Sequence, residues 1–519
     1  MELMDIYFAS LVEKHASEIP DKLAVIDFDG TEKTWKEFSE DVTRVSNSLL
    51  ALGLKKGDMI ATIMHQSIGY HTIFMAAATI GLVVVGLDHK FTINEAADLC
   101  KRTLPQLIIS QNYPVTELLE KVDIKHVYAY QDQIDYPGAL PYENLLEGSL
   151  DPIAAKLHPS FKDPLLVIFT SGTTGKPKGA VITHENTWYM SKYTAEAWEL
   201  TTEDRVMCYL PTSHVGGTHD QITIAIYSGA ASVCMPVFNP DTLMSMIDKY
   251  GVSNIITVPT IFRLLKLKVD FSKYNVSSMR CFVLGGEACS VELMESVKDY
   301  FPCALPASSW GMSETAGCFT LTLLSDSLKV NAETEGAARG LNKMKALKDD
   351  GNWAEPWENG ELCISGPQVI PGYMDEKDNV GNFFEKDGIR WMKTGDIGHL
   401  DENDYLYFVG RSKEMYISGG YNVYPPEIEA FLSAHPLINA AAVIGVADPI
   451  WGETGYAFLV PEEGIEVDQD TIVQFCKDEL AGYKRPSRIF INPDLPKTGV
   501  GKIEKKTIKD NMDKYTKVS

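Results

Sequence analysis

An α/β protein with a large N-terminal domain and a small C-terminal domain is the fold that the sequence predicts. Short apolar segments alternate with amphipathic ones over residues 20–100 and again over 165–300, which favours parallel sheets covered by helices on both faces. Residues 335–410 are rich in glycine, aspartate and aromatic residues with little helical periodicity, so they predict a smaller β unit. After Arg411 the pattern becomes α+β.

The chain length agrees with several units. At 519 residues the chain is too long for one hydrophobic core, and typical domain sizes predict about two to four units. The change of pattern near residues 410–413 leaves a C-terminal segment of about 100 residues, which is an ordinary domain size. We therefore expect one domain over residues 1–411 and a second over residues 412–519.

The individual elements follow from apolar periodicity. In the first segment we predict strands at 23–27, 59–64 and 82–87 and helices at 34–52 and 68–80. In the second we predict strands at 165–169, 230–235, 254–258 and 281–284 and a helix at 241–250, so the large domain should contain two similar α/β halves. The C-terminal segment predicts helices at 427–434 and 468–479 and strands at 441–446, 456–460 and 488–491.

Charge and cysteine content exclude several classes of protein. The chain has 47 basic and 71 acidic residues, a net charge of -24, which repels nucleic acid and anionic lipid. Nine cysteines without a C-x-x-C pair indicate free thiols in a reducing compartment and no zinc site. The acidic first residues do not resemble a signal peptide, and the longest apolar stretch, 72–87, contains Gly81 and is short for a membrane span. We expect a cytoplasmic protein without a membrane segment; the oligomeric state stays open, with a homodimer as one option.

A loop rich in glycine, hydroxyl groups and lysine follows the predicted strand at 165–169. Glycines allow close backbone approach to a phosphate, hydroxyls donate to its oxygens, and lysines neutralise its charge. The spacing differs from a P-loop, because only two residues separate Gly172 from Gly175 and Pro177 follows Lys176. A flexible surface turn is the alternative. The residues expected to hold phosphate are Thr170, Ser171, Gly172, Thr173, Thr174, Gly175 and Lys178.

This loop resembles the signature of the adenylate-forming superfamily, which includes acyl- and aryl-CoA synthetases, adenylation domains of nonribosomal peptide synthetases, and beetle luciferases. The resemblance covers nearly the whole chain, because further family motifs follow in the same order. It implies two doubly wound α/β subdomains and a small β-barrel, followed by a mobile α+β lid domain. It also implies an AMP-forming acid–CoA ligase that uses ATP, Mg²⁺ and CoA to convert a carboxylic acid into its CoA thioester through an acyl-adenylate.

The segment Trp310-Gly311-Met312-Ser313-Glu314 resembles the family motif that binds AMP. The resemblance implies that the aromatic ring stacks on adenine, the hydroxyl contacts the phosphate, and Glu314 and Thr170 ligate Mg²⁺. Trp replaces the usual Tyr and Ser the usual Thr, so the fit to adenine is expected to differ. In isolation, a Trp beside Gly is more often a core residue.

Three further segments imply contacts to the nucleotide. Gly285-Gly286-Glu287 resembles the opposite wall of the adenine pocket, and Asp396 resembles the aspartate that binds both ribose hydroxyls. A carboxylate has the acceptors that a cis-diol requires. Arg411 is implied to contact ribose or phosphate, and Lys413 stands where the family has its hinge. Without the resemblance, these residues would be ordinary turn and surface residues.

Two glycine-rich segments of the C-terminal region complete the pattern. Gly419 and Gly420 resemble the loop along which pantetheine passes, and they precede a helix start with Pro425-Pro426. Lys502, in a Gly-Val-Gly-Lys setting, resembles the catalytic lysine of adenylation. Because negative charge builds up on the α-phosphate during attack, a positioned ammonium would stabilise the transition state. A solvated surface lysine is the alternative.

His214 is the remaining candidate catalytic residue, with Lys502, Glu314 and Thr170. It stands where acyl-CoA synthetases often have a histidine in the acyl pocket, whereas members that activate amino acids usually have an aspartate. Its presence therefore argues against an amino-acid substrate. The acyl group is not predicted, although small residues are expected to line the pocket: Ser213, Val215, Gly216, Gly217, Ser308 and Ser309.

Other functions remain open at this point. One is an adenylation enzyme that loads a carrier protein instead of CoA. Another is a luciferase-like oxygenase that acts on the adenylate. A third is a binding module without activity, against which the intact motif residues argue.

Overall fold

The computed structural model describes residues 7–170, 177–286, 289, 291–418, 421–498 and 501–516. Strands and helices alternate over most of this length. The strands in chain order are β1 (Leu23–Ile26), β2 (Glu32–Thr34), β3 (Met59–Ile63), β4 (Val83–Gly86), β5 (Leu107–Ser110), β6 (His126–Ala129), β7 (Leu140–Pro141), β8 (Pro164–Thr170), β9 (Lys178–Thr183), β10 (Arg205–Cys208), β11 (Ala231–Cys234), β12 (Asn254–Thr257), β13 (Cys281–Gly285), β14 (Leu305–Met312), β15 (Gly317–Leu321), β16 (Ala337–Ala338), β17 (Lys343–Leu347), β18 (Gly360–Ser365), β19 (Phe383–Lys386), β20 (Ile389–Leu400), β21 (Leu406–Arg411), β22 (Tyr416–Ser418), β23 (Tyr421–Val423), β24 (Ile438–Asp448), β25 (Gly452–Pro461) and β26 (Arg488–Ile491).

The helices connect and cover these strands. In chain order they are α1 (Ser10–Glu18), α2 (Trp35–Ala51), α3 (Ile68–Thr79), α4 (Ile93–Thr103), α5 (Val115–Leu119), α6 (His184–Ala197), α7 (Val215–Gly217), α8 (Ile224–Ser228), α9 (Pro240–Tyr250), α10 (Pro259–Lys268), α11 (Val291–Tyr300), α12 (Leu328–Glu333), α13 (Pro425–Ser433), α14 (Gln469–Glu479), α15 (Lys505–Asp510) and α16 (Met512–Tyr515).

Local chemistry explains where several helices begin. Thr34 caps α2, because its hydroxyl accepts from the Glu37 N–H and the Glu37 carboxylate accepts from the Thr34 N–H. This reciprocal capping box satisfies two donors that the first helical turn would leave unpaired. Pro259 ends β12, as the sequence predicts, and is also the first residue of α10. Proline suits that position because it has no N–H to leave unpaired.

The large N-terminal region contains two extended sheets. One has seven strands in the order β7-β6-β5-β3-β4-β8-β9, parallel except for the β8–β9 pair. The other has nine strands in the order β16-β15-β14-β13-β12-β10-β11-β1-β2 and is parallel from β14 to β1. The α/β fold class that the sequence predicts is therefore confirmed.

The division of these sheets along the sequence differs from the prediction. β1 belongs to the nine-stranded sheet, where Val25 pairs with Ser232, although the alternation over 20–100 placed it with β3 and β4. Conversely, β8 completes the seven-stranded sheet, where Leu166 pairs with Val84. Each sheet thus takes two strands from the other half, β1 and β2 in one case and β8 and β9 in the other. Local periodicity does not report these long-range pairings.

α3 is buried around its circumference within the large region. Eleven of its twelve residues are buried, in contrast to an amphipathic surface helix. The apolar stretch 72–87 is the end of this helix followed by β4, as the sequence predicts. Within the described ranges, no helix is both long and apolar enough to cross a membrane.

A small β unit and a C-terminal lobe follow. The small β unit is a five-stranded antiparallel sheet, β17-β18-β20-β19 with β21 also on β20. The C-terminal lobe, residues 412–516, has a separate five-stranded sheet, β23-β22-β25-β24 with β26 on β25. This lobe contacts the large region through an ion pair of Lys268 with Glu463 at 2.6 Å and a hydrogen bond from Lys90 Nζ to Thr498 O at 3.4 Å.

Candidate active site

The predicted phosphate loop lies between two paired strands. Thr170 at the end of β8 and Lys178 at the start of β9 are register partners, and the Thr170 hydroxyl donates to the Lys178 carbonyl over 3.5 Å. These two predicted residues therefore face each other at the base of the loop. The predicted residues between them lie outside the described ranges: Ser171, Gly172, Thr173, Thr174 and Gly175.

Tyr373 connects this strand pair to Glu314, and sequence reasoning missed it. The Lys178 ammonium lies 4.9 Å from the centroid of the Tyr373 ring, within the range of a cation–π interaction. The Tyr373 hydroxyl donates to Glu314 Oε1 at 2.6 Å. Tyr373 follows a Pro-Gly pair, a pattern that indicates only a turn.

Glu314 fits the role of a magnesium ligand. Burial raises the pKa of its carboxyl, while the bond from Tyr373 and the charges of Lys178 and Arg411 act to lower it. A buried carboxylate of this kind is stabilised by a cation. The described residues contain no cluster of three His, Cys, Asp or Glu side chains that could hold a metal. One carboxylate suffices for Mg²⁺, which usually takes its other ligands from substrate phosphates and water.

Trp310 and Asp396 are in direct contact, although they come from different sheets. The Trp310 indole N–H donates to Asp396 Oδ2 at 2.9 Å, and Arg411 Nε lies 3.4 Å from Asp396 Oδ1. Asp396 and Arg411 are register partners on β20 and β21. Burial raises the pKa of Asp396, whereas Arg411 and Trp310 act to lower it. Three residues predicted from separate motifs are therefore brought together.

The other residues of this motif, Gly311, Met312 and Ser313, directly precede Glu314 along the chain. Gly311 opposes Cys318 on β15, and a Cβ on Gly311 would lie 2.1 Å from the Gly317 carbonyl oxygen, so only glycine fits. Met312 donates its N–H to the Thr315 hydroxyl at 3.0 Å, and Ser313 is buried beside it. The turn that carries Glu314 is thus fixed by its own backbone.

Gly285 and Gly286 lie at the end of β13, where Gly285 pairs with Ser309 of β14, next to this motif. Gly286 has a φ of +78°, and a Cβ built on it would lie 3.0 Å from the Lys502 ammonium nitrogen. A Cβ on Gly285 would lie 3.0 Å from Ser309 Oγ. The positive φ favours glycine at position 286, and a side chain at position 285 would crowd Ser309. The predicted residue Glu287 lies outside the described ranges.

Lys502 reaches this site from the C-terminal lobe. Its ammonium lies against Gly286, and its positive charge acts on the pKa values of His214, Asp220, Glu335 and Asp396. These four groups belong to different elements of the large region and the small β unit. The charge of this lysine therefore acts on groups that belong to the other units.

His214 caps a short helix and is neutral near pH 7. Its Nδ1 accepts from the Gly216 N–H at 3.0 Å, so in the neutral ring Nε2 carries the proton. Burial and, to a smaller extent, the charge of Lys502 lower the pKa of His214 to about 4. The ring can therefore donate a hydrogen bond from Nε2 but is not a cation. The helix it begins continues into a π-helical segment, Thr218–Thr223.

Asp220 and Glu335 are acidic groups near Lys502 that sequence reasoning missed. Asp220 Oδ1 accepts from the Cys318 N–H at 2.9 Å, and burial raises the pKa of Asp220 to about 6. Glu335 Oε2 accepts from the Ser308 hydroxyl at 2.9 Å, and burial raises the pKa of Glu335 to about 7. The proximity of these two residues to Lys502 depends on tertiary contacts, which the neighbouring sequence does not report.

The predicted hinge is a tight turn. The N–H groups of Glu414 and Met415 both donate to the Arg411 carbonyl at 3.0 Å. Burial lowers the pKa of Lys413, and the nearby charges of Lys178 and Arg411 lower it further. The predicted pantetheine residues Gly419 and Gly420 lie outside the described ranges.

This chain is similar to known proteins over most of its length. The AMP-binding enzyme family matches residues 12–374, and the AMP-binding enzyme C-terminal domain matches residues 427–502. A 2-succinylbenzoate–CoA ligase of Listeria monocytogenes is 31% identical and covers 97% of this chain and 99% of its own. An indoleacetate–CoA ligase of Aromatoleum aromaticum is 29% identical over 97% of this chain and 98% of its own.

A solved structure shows the same architecture. The o-succinylbenzoate CoA synthetase of Bacillus subtilis with ATP and magnesium ion superposes with a TM-score of 0.81 at 25% identity, covering 96% of this chain and 99% of the other. The same enzyme is also known with its acyl-adenylate intermediate. The predicted resemblance is confirmed, and this chain belongs to the AMP-binding enzyme family, the adenylate-forming superfamily that includes acyl-CoA synthetases.

Proposed function

We propose that this protein is an AMP-forming acid–CoA ligase, which converts a carboxylic acid, ATP and CoA into acyl-CoA, AMP and pyrophosphate through an acyl-adenylate. The observation that carries the proposal is the position of Lys502. A lysine from the C-terminal lobe lies against Gly286, among the groups that the family motifs assign to the nucleotide. Its relatives that are CoA ligases cover nearly the full length of this chain, which supports CoA as the acceptor.

In the first half-reaction, an oxygen of the acid attacks the α-phosphate of ATP and pyrophosphate leaves. Thr170 and Lys178, with the loop between them, hold the phosphates. Asp396 and Arg411 hold the ribose, and Trp310 lies along the adenine. Glu314 and Thr170 would hold Mg²⁺, which would neutralise phosphate charge. Catalysis of this type rests mainly on positioning and charge stabilisation.

Lys502 and His214 act on the acid in this half-reaction. The ammonium of Lys502 stabilises the negative charge that develops between the attacking carboxylate and the α-phosphate. The Nε2–H of the neutral His214 donates to the acid within the acyl pocket. Because His214 has a pKa of about 4, this donor persists throughout the neutral pH range.

In the second half-reaction, the CoA thiol attacks the acyl carbonyl and AMP leaves. Lys502 must withdraw so that the pantetheine arm can enter, which we propose happens by rotation of the lobe about Lys413. Ile417 and Tyr421 flank Gly419 and Gly420 and are 48% and 59% exposed. Exposed apolar side chains of this kind are typical of a surface that becomes covered in another conformation. We propose that the large domain covers them after the lobe has rotated.

The acid is proposed to be an aryl or arylalkyl monocarboxylic acid. Relatives act on indoleacetate, 2-succinylbenzoate and 4-coumarate. Asp220 and Glu335 place two acidic groups near Lys502, and a second carboxylate on the substrate would be repelled by them. An aryl acid with one carboxylate is therefore favoured over a dicarboxylic acid.

CoA-dependent AMP release with a panel of acids tests the proposal. The panel contains indole-3-acetate, 4-coumarate and 2-succinylbenzoate. At equal concentration, AMP release should be faster with each of the first two acids than with 2-succinylbenzoate. A preference for 2-succinylbenzoate would overturn the proposed substrate class. Acid-dependent ATP–pyrophosphate exchange without any CoA thioester, together with acylation of a holo-carrier protein, would instead favour carrier loading. If no acid supported either ATP–pyrophosphate exchange or thioester formation, the ligase proposal itself would be contradicted.

A cytoplasmic location and a homodimer are the finer parts of the proposal. All nine cysteines are free thiols, which supports a reducing compartment. Cell fractionation tests the location. Sedimentation velocity at micromolar concentration tests the assembly, and a single species at the 57.6 kDa mass of the chain would contradict the dimer.

A further inference from the structure

Three tryptophans in the described part of the chain donate their indole N–H to a carboxylate. The partners are Asp396 for Trp310, Asp387 for Trp353 and Glu402 for Trp357. The latter two bonds lie at the surface, whereas Trp310 and Asp396 are only 8% and 7% exposed. A hydrogen bond to a buried carboxylate is stronger than one in water and fixes the orientation of its partner more firmly.

Asp396 is held from two sides. The indole of Trp310 occupies one position on Oδ2 at 2.9 Å, and Arg411 Nε approaches Oδ1 at 3.4 Å. The Asp396 N–H donates to the Thr394 hydroxyl at 3.0 Å, which fixes the backbone below the side chain. Because each carboxylate oxygen has two acceptor positions, both oxygens keep one for a further donor. The carboxylate is thus oriented for a pair of hydroxyl groups.

The bond also joins two units of the fold. Trp310 lies on β14 of the nine-stranded sheet, and Asp396 lies on β20 of the small β unit. The indole is itself fixed, since it packs edge-to-face against Phe319 with ring centroids 6.3 Å apart. A residue that packs against adenine can therefore set the position of the group that receives the ribose.

The type of aromatic residue at position 310 decides whether the ring can donate a hydrogen bond to Asp396. Phenylalanine has no donor, and tyrosine carries its O–H at the far end of the ring instead of along its edge. Only the indole combines a wide flat ring with an N–H on the edge that faces Asp396. The replacement of the usual aromatic residue by Trp310 thus adds a hydrogen bond that the ring alone does not provide.

We propose that Trp310 is a positioning residue whose indole N–H orients Asp396 toward the ribose hydroxyls, so that the protein selects ribonucleotides over 2′-deoxyribonucleotides. This inference rests on the proposed function, because the ribose role of Asp396 is part of it. Trp310 acts through Asp396, and its effect therefore depends on the number of ribose hydroxyls. Loss of ring packing alone would weaken both kinds of nucleotide equally.

Calorimetric titration with Mg-ATP and Mg-2′-deoxyATP tests the inference without an acid substrate. A hydrogen bond to a charged group contributes about 1.5 to 3 kcal/mol, so the unaltered protein should prefer ATP by roughly 10- to 100-fold. In Trp310→Phe, the affinity for ATP should fall about tenfold while that for 2′-deoxyATP changes little. Equal losses for both nucleotides would overturn the inference.

Controls separate this role from a general loss of structure. Trp357→Phe removes an indole–carboxylate bond at the surface and should leave the nucleotide preference unchanged. In an Asp396→Asn background, Trp310→Phe should alter the preference no further, because the two residues act as one unit. If Trp310→Phe does not fold, Trp310→Tyr is the second variant. We expect it to lose the preference for ATP over 2′-deoxyATP as well. An unaltered protein that does not bind ATP would contradict the proposed function, whereas an unchanged preference in both Trp310 variants contradicts only this inference.

Discussion

Lys502 is the residue whose position most clearly separates the two half-reactions. Its ammonium lies beside Gly286, where we propose that it acts in adenylation. We expect Lys502→Ala to reduce acid-dependent ATP–pyrophosphate exchange by about 10²- to 10³-fold, the usual effect of removing one transition-state donor. Thioester formation from a preformed acyl-adenylate and CoA should persist, because Lys502 must withdraw before that step.

Lys497→Ala is the matched control for this change. Lys497 forms an antiparallel β-bridge with Ile503, the neighbour of Lys502, and pairs with Asp494 at the surface over 3.3 Å. Exposed pairs of this kind contribute little, so both half-reactions should proceed normally. Equal losses of both half-reactions in Lys502→Ala would show that the lysine has no separate role in adenylation.

Asp220 predicts a stability that depends on pH. Burial raises its pKa from 3.8 to about 6, despite the bond from Cys318 and the charge of Lys502. Because the folded pKa lies above the unfolded one, the folded state is most favoured below pH 4 and loses this stabilisation as pH rises through 6. Asp220→Asn cannot ionise but keeps the acceptor for Cys318. It should therefore have a higher Tm than the unaltered protein at pH 8, with the gain shrinking below pH 6.

Asp204→Asn is the opposite case and serves as the control. Burial acts to raise the pKa of Asp204, but its bonds with Arg280 and Ser253 outweigh burial and the net shift is downward. Its charge therefore stabilises the fold above its unfolded pKa, and Asp204→Asn should lower the Tm at pH 8. A lower Tm for Asp220→Asn at that pH would contradict the sign given for Asp220.

The residues that could be predicted from sequence are those whose chemistry is local. Glu314, Asp396 and Lys502 stand in short motifs, so their neighbours along the chain identify them. Tyr373 and Asp220 could not be predicted, because each is defined by a partner far along the chain. Tyr373 meets Glu314 across 59 positions, and Asp220 meets Cys318 across 98.

At the scale of elements, periodicity predicts most strands and helices but not their partners. The predicted strand at 488–491 and the helix at 241–250 agree with β26 and α9 to within one residue. Apolar periodicity does not predict α6 and α10. α6 has polar and apolar residues around its whole circumference, and nine of its residues are buried. Its burial by other elements, rather than an amphipathic pattern, defines it.

The C-terminal lobe contains an ionic cluster that joins three of its segments. Lys505 at the start of α15 donates to Glu414 at 2.6 Å and lies 2.8 Å from Glu429 of α13. Burial acts to lower the pKa of Lys505, but the two glutamates outweigh it and the net shift is upward. We expect Lys505→Met to destabilise the lobe by about 3 kcal/mol, because two partly buried carboxylates lose their cation. Differential scanning calorimetry would report this as an earlier transition of the lobe.

Lys506→Met is the matched control for this cluster. Lys506 is exposed on the same helix, and its replacement should leave the transition of the lobe unchanged. An equal shift in both variants would mean that loss of positive charge on α15, not the cluster, governs the stability of the lobe.

At the scale of the whole molecule, the proposed rotation depends on the turn that contains Lys413. The carbonyl of Arg411 accepts from both Glu414 and Met415, so the rest of this turn is held closely. We expect Lys413→Pro to restrict the backbone at this point and to slow thioester formation at least tenfold while adenylation persists. Stopped-flow measurement of AMP release with and without CoA distinguishes the two steps.

Lys413→Ala removes the side chain and keeps the freedom of the backbone. The ratio of the rates of adenylation and thioester formation should then be the same as in the unaltered protein. If Lys413→Pro formed thioester at the normal rate, the axis of rotation would lie elsewhere.

The exchange of β1 and β8 between the two large sheets has a consequence for the order of synthesis. β1 is made early but pairs with β11, about 200 residues later along the chain. At a translation rate of about 5–20 residues per second, it waits roughly 10 to 40 s for that partner to leave the ribosome. Its other neighbour, β2, is available at once, so a two-stranded hairpin is all that this segment can form in the meantime. Because such a hairpin is at best marginally stable, the nascent chain exposes an open edge throughout this interval, where chaperones would find it.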